Sequence, residues 1–580
     1  MTAASPEPTS ATPINSASMG RCMFIWRMLA ALLSGLLCSS AFPPLEWDLL
    51  VWLALIPMLL IPQPRAWGER LLIGYFWGYV HCASSLLWLN EVGFGAGWLL
   101  ALYCALFPMV WYALFSAAVW QLRQELSPEF PGAGFLYIRS LPRSIALCLF
   151  AAVLWVALEW LRSWLFTGFP WNQLGISQFT RTGIIQTAAW TGVYGISFLI
   201  VLGNAVLCAE FCRVLRRIFG GFGSNFPWHY LLLSVFLLPV FWLGSRPRIL
   251  PPPETPTLLV SAIQGNLPQC RFWSEQEYQQ ALTTYISLSK QDLQQEPAPD
   301  LLVWPECAVP APLEYPDYNL ALRRLQAEIQ TPLLLGATNH RADPNHPGEA
   351  LLFNSAFLLD RDMRILGYYD KCHRVPFGEY VPGGKYLPWL VDLIGMGRDL
   401  TPGTDFNLIP LPKGGQAGVN ICFEDVFPEI SRAFTLAGAN ILMTITNDSW
   451  YNQSSGSRQH LSHVVFRAVE CRRPILRSGN NSDTCLITPN GEILGILRDD
   501  RGSPFVAGAI RFEVPVYQQW GMTFYTRYGN VFAHLCVILT IVALFAMFLA
   551  WFNRKKRLLQ IITSTTAGSQ RNPDARSDHN

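Results

Sequence analysis

Eight stretches of this chain are almost free of charged residues and run for roughly 20 residues each, the length that an α-helix needs to cross a bilayer. Seven of them precede residue 251 and the eighth follows residue 518. This pattern predicts a polytopic α-helical membrane bundle. The eight stretches are 22–42, 47–62, 71–91, 97–120, 144–162, 184–208, 228–245 and 530–552.

The composition of the remaining segments predicts the domain boundaries. Residues 1–20 are rich in Ser, Thr and Pro and are expected to be a disordered tail. Residues 21–250 form the predicted membrane domain of seven transmembrane helices, and 251–518 form a separate domain. Residues 519–553 carry the eighth helix with its lead-in, and the basic segment 554–580 is expected to be a cytoplasmic tail.

The first apolar stretch has two alternative interpretations. A cleaved signal peptide is disfavoured because no small-residue cleavage site follows and further apolar stretches come at once. A lipoprotein processing site at Leu36-Leu37-Cys38-Ser39 is disfavoured because Leu37 stands where a small residue is needed. We therefore interpret 22–42 as a membrane helix.

The overall composition agrees with a membrane protein. Hydrophobic residues make up 51% of the chain and charged residues only 14%. A formal net charge of +2 gives no indication of a nucleic-acid partner. The 14 cysteines form no metal-type CxxC pairs, so neither a metal site nor a cofactor is predicted.

Basic residues between the apolar stretches predict the orientation. If the eight helices alternate, Arg65, Arg123, Arg213 and the cluster 554–557 fall on one side, which is then the cytoplasm. The segment between the seventh and eighth helices is therefore predicted to be extracytoplasmic. Four arginines stand against this arrangement: Arg162, Arg181, Arg246 and Arg248.

Between 251 and 518 the pattern changes to short strands alternating with amphipathic helices, which is typical of an α/β domain. The first strand is predicted over 257–263. Ser274-Glu275-Gln276-Glu277 is a capping box that begins a helix. The segment is long enough to form one substantial core.

One predicted strand of this domain ends in a thiol. In QAGVNICFEDVFP (416–428), an apolar run ends at Cys422, and Pro428 stops the extended segment. A cysteine becomes a nucleophile only where neighbouring groups favour its thiolate and carry its proton. Because a lone Cys after an apolar run is more often a packed hydrophobe, the prediction depends on its neighbours.

Two other predicted strands end in suitable neighbours. LLVWPE ends at Glu306, and YYDK ends at Lys371. If the three strand ends meet at one edge of a sheet, Glu306 would be the general base, Lys371 would stabilise an oxyanion and Cys422 would attack. Taken singly, a strand-end Glu or Lys is most often simply solvated.

The sequence around these residues resembles the nitrilase, or carbon–nitrogen hydrolase, superfamily. WPE (304–306), DKCHRVPFGEY (370–380) and NICFEDVFPE (420–429) stand in the order of its signatures. With the apolar stretches, three further pieces are similar to the bacterial apolipoprotein N-acyltransferase family. They are QGNLPQCRFW (264–273), NDSWY (447–451) and QHLSHVVFRAVECRRPILRSGNN (459–481).

The resemblance implies a nitrilase-like four-layer αββα sandwich and roles for further residues. Glu379 would hold Lys371 or assist proton transfer, while Trp273, Asn354 and Phe423 would line the site. Phe423 stands where the family usually has Tyr. Glu424, two residues past Cys422, is expected to support the site without reacting.

Other residues near the site are less clear from the sequence. Cys307 and Cys372 adjoin the predicted catalytic residues, but neighbours on a strand point to opposite faces, so we expect them to point away. A disulfide involving either cysteine stays open. Arg374 and Asn452 depart from the family's pattern.

Two segments are candidates for contact with lipid. GGKYLPWLVDLIGMG (383–397) is apolar and bounded by glycines, and we interpret it as a mobile lid that binds lipid through Trp389 and Leu390, with ordinary packing as the alternative. EWLRSWLFTGFPW (159–171) is interpreted as an ion pair of Glu159 and Arg162 beside interfacial aromatics, or as part of the lipid entrance.

The resemblance implies a reaction at the bacterial inner membrane, with the catalytic domain facing the periplasm. Cys422 would take an acyl chain from a membrane phospholipid as a thioester. The N-terminal amine of a diacylglyceryl-cysteine apolipoprotein would then accept it, in the last step of lipoprotein maturation. Two other interpretations stay open: a membrane-tethered amidase in which water attacks the thioester, and a transporter or receptor without enzymatic activity.

Overall fold

The structure, a computed structural model, describes residues 16–123, 138, 140–220, 226–246, 248–268, 274–394 and 399–569. A helical N-terminal region is followed by an α/β domain and one long helix. The two predicted tails lie partly outside the described residues. Their described parts are helical, since α1 begins at Ser16 and α17 ends at Ser569.

The helical region contains ten α-helices within the described residues, and two more follow the α/β domain. Several are joined by short 3₁₀ turns. The helices are α1 (Ser16–Ser40), α2 (Ile56–Leu60), α3 (Trp67–Ser85), α4 (Ala96–Cys104), α5 (Leu106–Leu122), α6 (Leu141–Arg162), α7 (Thr182–Ile185), α8 (Ala188–Thr191), α9 (Val193–Gly220), α10 (Trp228–Gly244), α16 (Phe524–Tyr528) and α17 (Val531–Ser569).

Five helical segments of the described chain are long and apolar enough to cross a membrane. Two shorter apolar segments, Asp48–Leu60 and Trp228–Gly244, coincide with two more of the predicted stretches. The remaining stretch, 71–91, lies on α3 and a 3₁₀ turn. The five long segments are Gly20–Ser40, Ala96–Leu122, Leu141–Arg162, Val193–Phe219 and Val531–Arg557.

The stretch 47–62 differs from the prediction because it is not one continuous helix. It consists of a 3₁₀ turn, Asp48–Trp52, and the short helix α2. Asn204 on α9 accepts a hydrogen bond from the Leu55 amide at 2.9 Å and donates one to the Val51 carbonyl at 2.9 Å. An interrupted helix persists in an apolar environment only where such partners satisfy its backbone, and hydropathy alone does not reveal them.

The α/β domain has thirteen strands and five further helices within the described residues. Its capping box is present, since Ser274 and Glu277 bond to each other's backbone at the start of α11. The strands are β1 (Thr257–Gln264), β2 (Leu301–Val303), β3 (Val309–Pro312), β4 (Leu333–Ala342), β5 (Ala350–Leu359), β6 (Ile365–Asp370), β7 (Ile409–Pro410), β8 (Gln416–Ile421), β9 (Ile441–Thr446), β10 (Ile475–Gly479), β11 (Cys485–Ile487), β12 (Ile493–Ile496) and β13 (Gly508–Pro515). The helices are α11 (Glu275–Asp292), α12 (Pro316–Ile329), α13 (Pro388–Ile394), α14 (Pro428–Ala437) and α15 (Gly456–Cys471).

The strands form two mixed sheets that pack face to face. One has seven strands in the order β13-β1-β2-β4-β5-β6, with β3 paired to β4, and the other has six in the order β12-β11-β10-β9-β8-β7. Helices α11 and α12 cover the first sheet, while α14 and α15 cover the second. This confirms the predicted αββα sandwich, in which β2, β6, β8 and β9 all lead into the site described next.

Candidate active site

Cys422 lies at the point where β8 gives way to a 3₁₀ turn. Its backbone φ is 53°, a left-handed conformation that is rare for a residue with a side chain. Glu424 accepts a hydrogen bond from the Ile421 amide at 2.9 Å and thereby closes this turn. The sharp turn fixes the direction of the Cys422 thiol at the end of the strand.

Glu306 lies in the turn after β2, three residues beyond the strand. Its Oε1 accepts a hydrogen bond from Asn354 Nδ2 at 2.8 Å, and its Oε2 accepts one from the Asn447 amide at 2.9 Å. Gly336 on β4 allows this approach, because a Cβ there would lie 2.6 Å from the Glu306 Cα. Both carboxylate oxygens are therefore held in fixed positions.

Lys371 follows β6 directly and is buried. Its Nζ lies 2.8 Å from Glu379 Oε1 and 3.4 Å from Glu306 Oε1. Burial alone disfavours the ammonium, but Glu379 and Glu306 outweigh it and raise the pKa of Lys371 well above its usual value. Lys371 is therefore a cation at neutral pH.

The Cys422 thiol interacts electrostatically with both groups. Burial raises the pKa of Cys422 well above its usual value, Glu306 raises this pKa further, and Lys371 and a hydrogen bond with Thr446 lower it. The resting thiol is therefore protonated. A nucleophile in this state needs a base that takes its proton as it attacks, and the Glu306 carboxylate is close enough to raise the pKa of the thiol.

Asn354 and Glu379 connect the parts of the site. Asn354 Nδ2 also donates to Glu379 Oε1 at 3.1 Å, so it bridges the two carboxylates that flank Lys371. The other oxygen of Glu379 accepts a hydrogen bond from the Val375 amide at 2.8 Å, which holds the loop after Lys371. The arrangement supplies a proton acceptor, a fixed positive charge and a thiol in one buried place.

The comparisons with known proteins cover both domains. The family model of the apolipoprotein N-acyltransferase N-terminal domain matches residues 34–206, and that of carbon-nitrogen hydrolase matches residues 259–504. An apolipoprotein N-acyltransferase from Geobacter metallireducens is 36% identical over 520 residues, which cover 88% of this chain and 93% of that relative. The chain belongs to the apolipoprotein N-acyltransferase family.

Another member of this family, from Nitrosomonas europaea, is 30% identical over 540 residues, covering 89% of this chain and 96% of that relative. Among solved structures, a carbon–nitrogen hydrolase from Helicobacter pylori is 16% identical with a TM-score of 0.34, over 47% of this chain and 94% of that chain. As a family member, the chain is a multi-pass membrane acyltransferase with a nitrilase-like α/β domain.

Glu424 joins the Lys371 loop to the Cys422 turn. Its Oε1 accepts hydrogen bonds from the Cys372 amide at 2.7 Å, the His373 amide at 3.0 Å and the Tyr369 hydroxyl at 2.8 Å. Burial raises the pKa of Glu424 to about 7, although these backbone donors oppose the shift. The supporting role of Glu424 stays a prediction.

Of the remaining predicted site residues, the structure describes the side chains of Phe423 and Trp389. Phe423 is buried and packs against Trp171 and Phe427. Trp389 lies on α13 with 61% of its surface exposed. Trp273 and the side chain of Leu390 lie outside the described residues, as do 395–397 of the predicted lid.

The flanking cysteines have raised pKa values. Burial raises the pKa of Cys372 to about 11 and that of Cys307 well above its usual value. Cys307 lies in a left-handed turn with φ 53°, not on a strand. Within the described ranges every cysteine is a free thiol.

The predicted ion pair of Glu159 and Arg162 was wrong. Glu159 Oε1 instead accepts hydrogen bonds from Trp155 Nε1 at 2.7 Å and the Leu174 amide at 2.8 Å. Arg162 Nη2 donates to the Trp171 carbonyl at 2.9 Å. These bonds shape the loop that carries Trp171 to the α/β domain.

Asn452, which departs from the family's pattern, adopts φ 49°, so the position does require a positive φ. With ψ −150°, this backbone lies outside the left-handed helical region and favours glycine, the residue that the family has here. Its side chain donates to Glu91 Oε2 at 2.9 Å and so reaches the helical region.

Sequence reasoning missed a charged network behind the site. His460 on α15 lies 2.8 Å from Asp425 Oδ1 and 3.0 Å from Asp448 Oδ1, and Arg477 Nη2 lies 2.7 Å from Asp448 Oδ2. All four side chains are fully buried. The fragment NDSWY contained Asp448, but no sequence signal paired it with a histidine twelve residues away.

Sequence reasoning also missed Gln459, which joins the two domains. Its Oε1 accepts hydrogen bonds from Trp88 Nε1 at 2.9 Å, Trp171 Nε1 at 2.8 Å and Asn172 Nδ2 at 3.0 Å. Its Nε2 donates to the carbonyls of Pro43 at 2.8 Å and Ser85 at 3.0 Å. One side chain of α15 thus binds three separate loops of the helical region.

Proposed function

We propose that this chain transfers an acyl chain from a membrane phospholipid, through a thioester on Cys422, to the N-terminal amine of diacylglyceryl-cysteine apolipoproteins. The observation that carries the proposal is the buried Lys371 ammonium, which lies between Glu306 and Glu379 and interacts with the Cys422 thiol. Family membership supplies the reaction class, and this cluster supplies groups suited to each step.

In the first half-reaction Glu306 takes the proton of the Cys422 thiol as sulfur attacks the ester carbonyl of the phospholipid. The tetrahedral oxyanion lies against the Lys371 ammonium, which stabilises the developing charge. When the intermediate collapses, the ester C–O bond breaks and protonated Glu306 gives its proton to the leaving alkoxide. The products are a lysophospholipid and an acyl-thioester on Cys422.

In the second half-reaction the acceptor's α-amine attacks the thioester carbonyl. Glu306, again a carboxylate, takes the proton that the nitrogen loses, and Lys371 again faces the oxyanion. The C–S bond breaks, the Cys422 sulfur recovers a proton from Glu306, and an amide remains on the acceptor. Because the first product leaves before the acceptor reacts, the kinetics are ping-pong.

The proposed location is the bacterial inner membrane, with the α/β domain on the periplasmic side. The cluster Arg554-Lys555-Lys556-Arg557 lies at the end of the apolar span Val531–Arg557 of α17 and supports this orientation, since basic residues favour the cytoplasmic face. The α/β domain lies before the other end of α17 and so on the opposite side. Cysteine accessibility to a membrane-impermeant reagent would test the orientation.

Intact-mass measurement of the purified protein after incubation with phospholipid tests the chemistry. We expect a mass increase of one acyl group that is lost on addition of a diacylglyceryl-cysteine peptide, with the acyl group recovered on the peptide. Cys422→Ala should abolish the adduct, while Cys307→Ala and Cys372→Ala should retain it. An adduct that persists in Cys422→Ala would overturn the assignment, and discharge to free fatty acid as fast without the peptide would indicate a hydrolase.

A further inference from the structure

A cavity lies where the helical region meets the α/β domain. Its volume is about 650 Å³. It is lined by α7, α8 and the end of α10, by Arg472 in the turn between α15 and β10, and by the segment that leads into α17. Neither Glu306, Lys371 nor Cys422 lines it. The proposed chemistry therefore does not account for this cavity.

Three arginines line the cavity against one carboxylate. Arg248 forms an ion pair with that carboxylate, Glu492. Arg472 Nη1 donates only to neutral acceptors within the described residues, Gln186 Oε1 at 2.7 Å and the Pro489 carbonyl at 3.0 Å. The Arg246 guanidinium lies over the Trp242 ring, 3.8 Å from its centroid, and has no carboxylate partner in the described ranges. The lining thus carries excess positive charge.

The position of Arg472 makes an anionic partner favourable. Burial lowers the pKa of Arg472 to about 10, and no described carboxylate opposes this shift. The side chain is still a cation at neutral pH. A partly buried cation is usually paired with an anionic group. Arg472 has no such partner among the described residues, and an anion bound in the cavity would supply one.

The rim of the cavity is apolar. Trp190 is 52% exposed and Ile249 is 41% exposed, and Met522 and Phe524 lie beside them. These side chains adjoin the ends of α10 and α17, two apolar helices that have most of their surface exposed. A ligand that fills the cavity therefore meets cationic groups inside and apolar groups at the membrane-facing rim.

Two arginines of this cavity are exceptions to the predicted distribution of basic residues across the membrane. Four arginines stand on the side opposite to the basic loops. Arg181 is bound to Asp48 at 2.5 Å and Arg162 to the Trp171 carbonyl at 2.9 Å, which accounts for two of them within the protein. The other two, Arg246 and Arg248, both line this cavity. Their placement is explained if an anion at the membrane surface binds there.

We propose that this cavity binds the phosphate headgroup of an anionic glycerophospholipid, as a site separate from the acyl-donor site. The phosphate would lie between Arg246, Arg248 and Arg472, and the acyl chains would leave the cavity past Trp190 and Phe524. Since Arg472 caps the C-terminus of α15, the helix that carries Gln459 and His460, the bound lipid stabilises the packing of the two domains.

Lipid binding to the full-length protein in detergent tests this proposal. Phosphatidylglycerol should raise the melting temperature and remain bound in native mass spectrometry. Phosphatidylcholine with the same chains should bind with an affinity that is lower by about tenfold or more. Arg246→Gln/Arg248→Gln and Arg472→Gln should each lose this preference, and Arg472→Lys should keep part of it. Arg361→Gln/Arg364→Gln, which removes two exposed arginines from the β5–β6 turn, serves as the matched control and should keep it fully.

Several outcomes would overturn the proposal. Equal binding of the two lipids by the unmodified protein would do so, as would an undiminished preference in Arg246→Gln/Arg248→Gln. Stabilisation by inorganic phosphate as large as that by phosphatidylglycerol would show a free-anion site instead of a lipid site. Because Arg246 and Arg248 are exposed, their double variant should fold even if Arg472→Gln does not. Acylation of Cys422 by a water-soluble ester, measured on the same variants, shows whether the active site itself is intact.

Discussion

The indole of Trp171 stacks on the phenyl ring of Phe423, with ring centroids 6.1 Å apart and ring planes 21° apart. Trp171 belongs to the loop after α6 in the helical region, whereas Phe423 directly follows Cys422. The helical region therefore contacts the residue next to the proposed nucleophile. The position of the Cys422 turn depends on how the two domains pack.

Removing this stack should weaken acyl transfer. Trp171→Ala should lower kcat/KM by about 2- to 12-fold, the equivalent of one aromatic pair. Trp171→Phe should retain more activity, because its ring can still stack although the bond to Gln459 is lost. Steady-state transfer to a diacylglyceryl peptide measures this, with Trp26→Ala, an exposed tryptophan on α1, as the control. Equal activity of Trp171→Ala and the control would show that the stack does not position the site.

Replacing Gln459 should destabilise the junction of the domains. Gln459→Leu leaves three donors and two acceptors without their partner, and each unsatisfied buried group costs about 1–3 kcal/mol. We expect a clearly lower melting temperature and faster proteolysis between the domains.

Gln326→Leu is the matched control for Gln459. Gln326 is also buried, but both of its side-chain polar atoms lack partners, so the same substitution there should be neutral or stabilising. If the two variants melt at the same temperature, the bonds of Gln459 do not hold the domains together.

The sequence predicted which residues meet in the site better than it predicted what holds them. Cys422 and Lys371 follow strands β8 and β6 directly, so strand-end reasoning applied to them. Glu306 lies in a turn beyond β2, and its amide donor, Asn447, comes from another strand end. Contacts of this kind, like those of Gln459 with three distant loops, depend on tertiary packing and leave no periodic signal. The break at 47–62 was missed for the same reason, since Asn204 satisfies it from another helix.

Substitution of either charged group should strongly reduce turnover. Glu306→Gln keeps the size of the side chain but cannot carry the proton, and should lower kcat by about 10²- to 10⁴-fold. Lys371→Ala removes the charge opposite the oxyanion and should lower it by about 10²- to 10³-fold. Single-turnover acylation of Cys422 measures both, with exposed Glu314→Gln as the control. Near-normal acylation in a correctly inserted Glu306→Gln protein would contradict the assigned role.

Stability should decrease at alkaline pH because of His460. Burial alone disfavours the imidazolium, but Asp425 and Asp448 outweigh it and raise the pKa of His460 to about 9. Since this value exceeds the ordinary value of 6.5, the stabilisation is fully present below about pH 6.5 and is lost as the pH rises through about 9. Arg477 is a further charged group that faces the ring, with its Nη2 3.4 Å from His460 Nδ1.

Comparison with His460→Gln isolates this contribution to stability. The difference in the free energy of unfolding between the unmodified protein and His460→Gln should shrink between pH 6.5 and 10, by on the order of 3 kcal/mol. His340→Gln, at an exposed position, should show no such change with pH. A difference that stays constant over this range would mean that His460 is neutral in the folded protein.

The segment 383–397 should matter for lipid access more than for chemistry. Its base is tied to the site, because the Leu400 amide donates to the Glu379 carbonyl at 2.8 Å and Val381 bonds Asp399 at 3.2 Å. On α13, Trp389 is 61% exposed, which suits insertion into the bilayer surface. Drawing an acyl chain into water would expose a dozen or more methylenes at roughly 0.8 kcal/mol each, a cost that delivery from the lipid side avoids.

Charged substitutions on α13 test this role. Trp389→Asp/Leu390→Asp should slow Cys422 acylation by phospholipid in bilayers much more than acylation by a short water-soluble ester, because only the first donor requires contact with the membrane. Leu320→Asp, which places one charge on an exposed apolar position of α12, should affect neither donor. The ratio of the two acylation rates is the deciding quantity, since it cancels any general loss of folded protein. If both donors slow equally, the segment is structural, and lipid enters beside the 159–171 loop, where Trp164 and Phe166 are exposed.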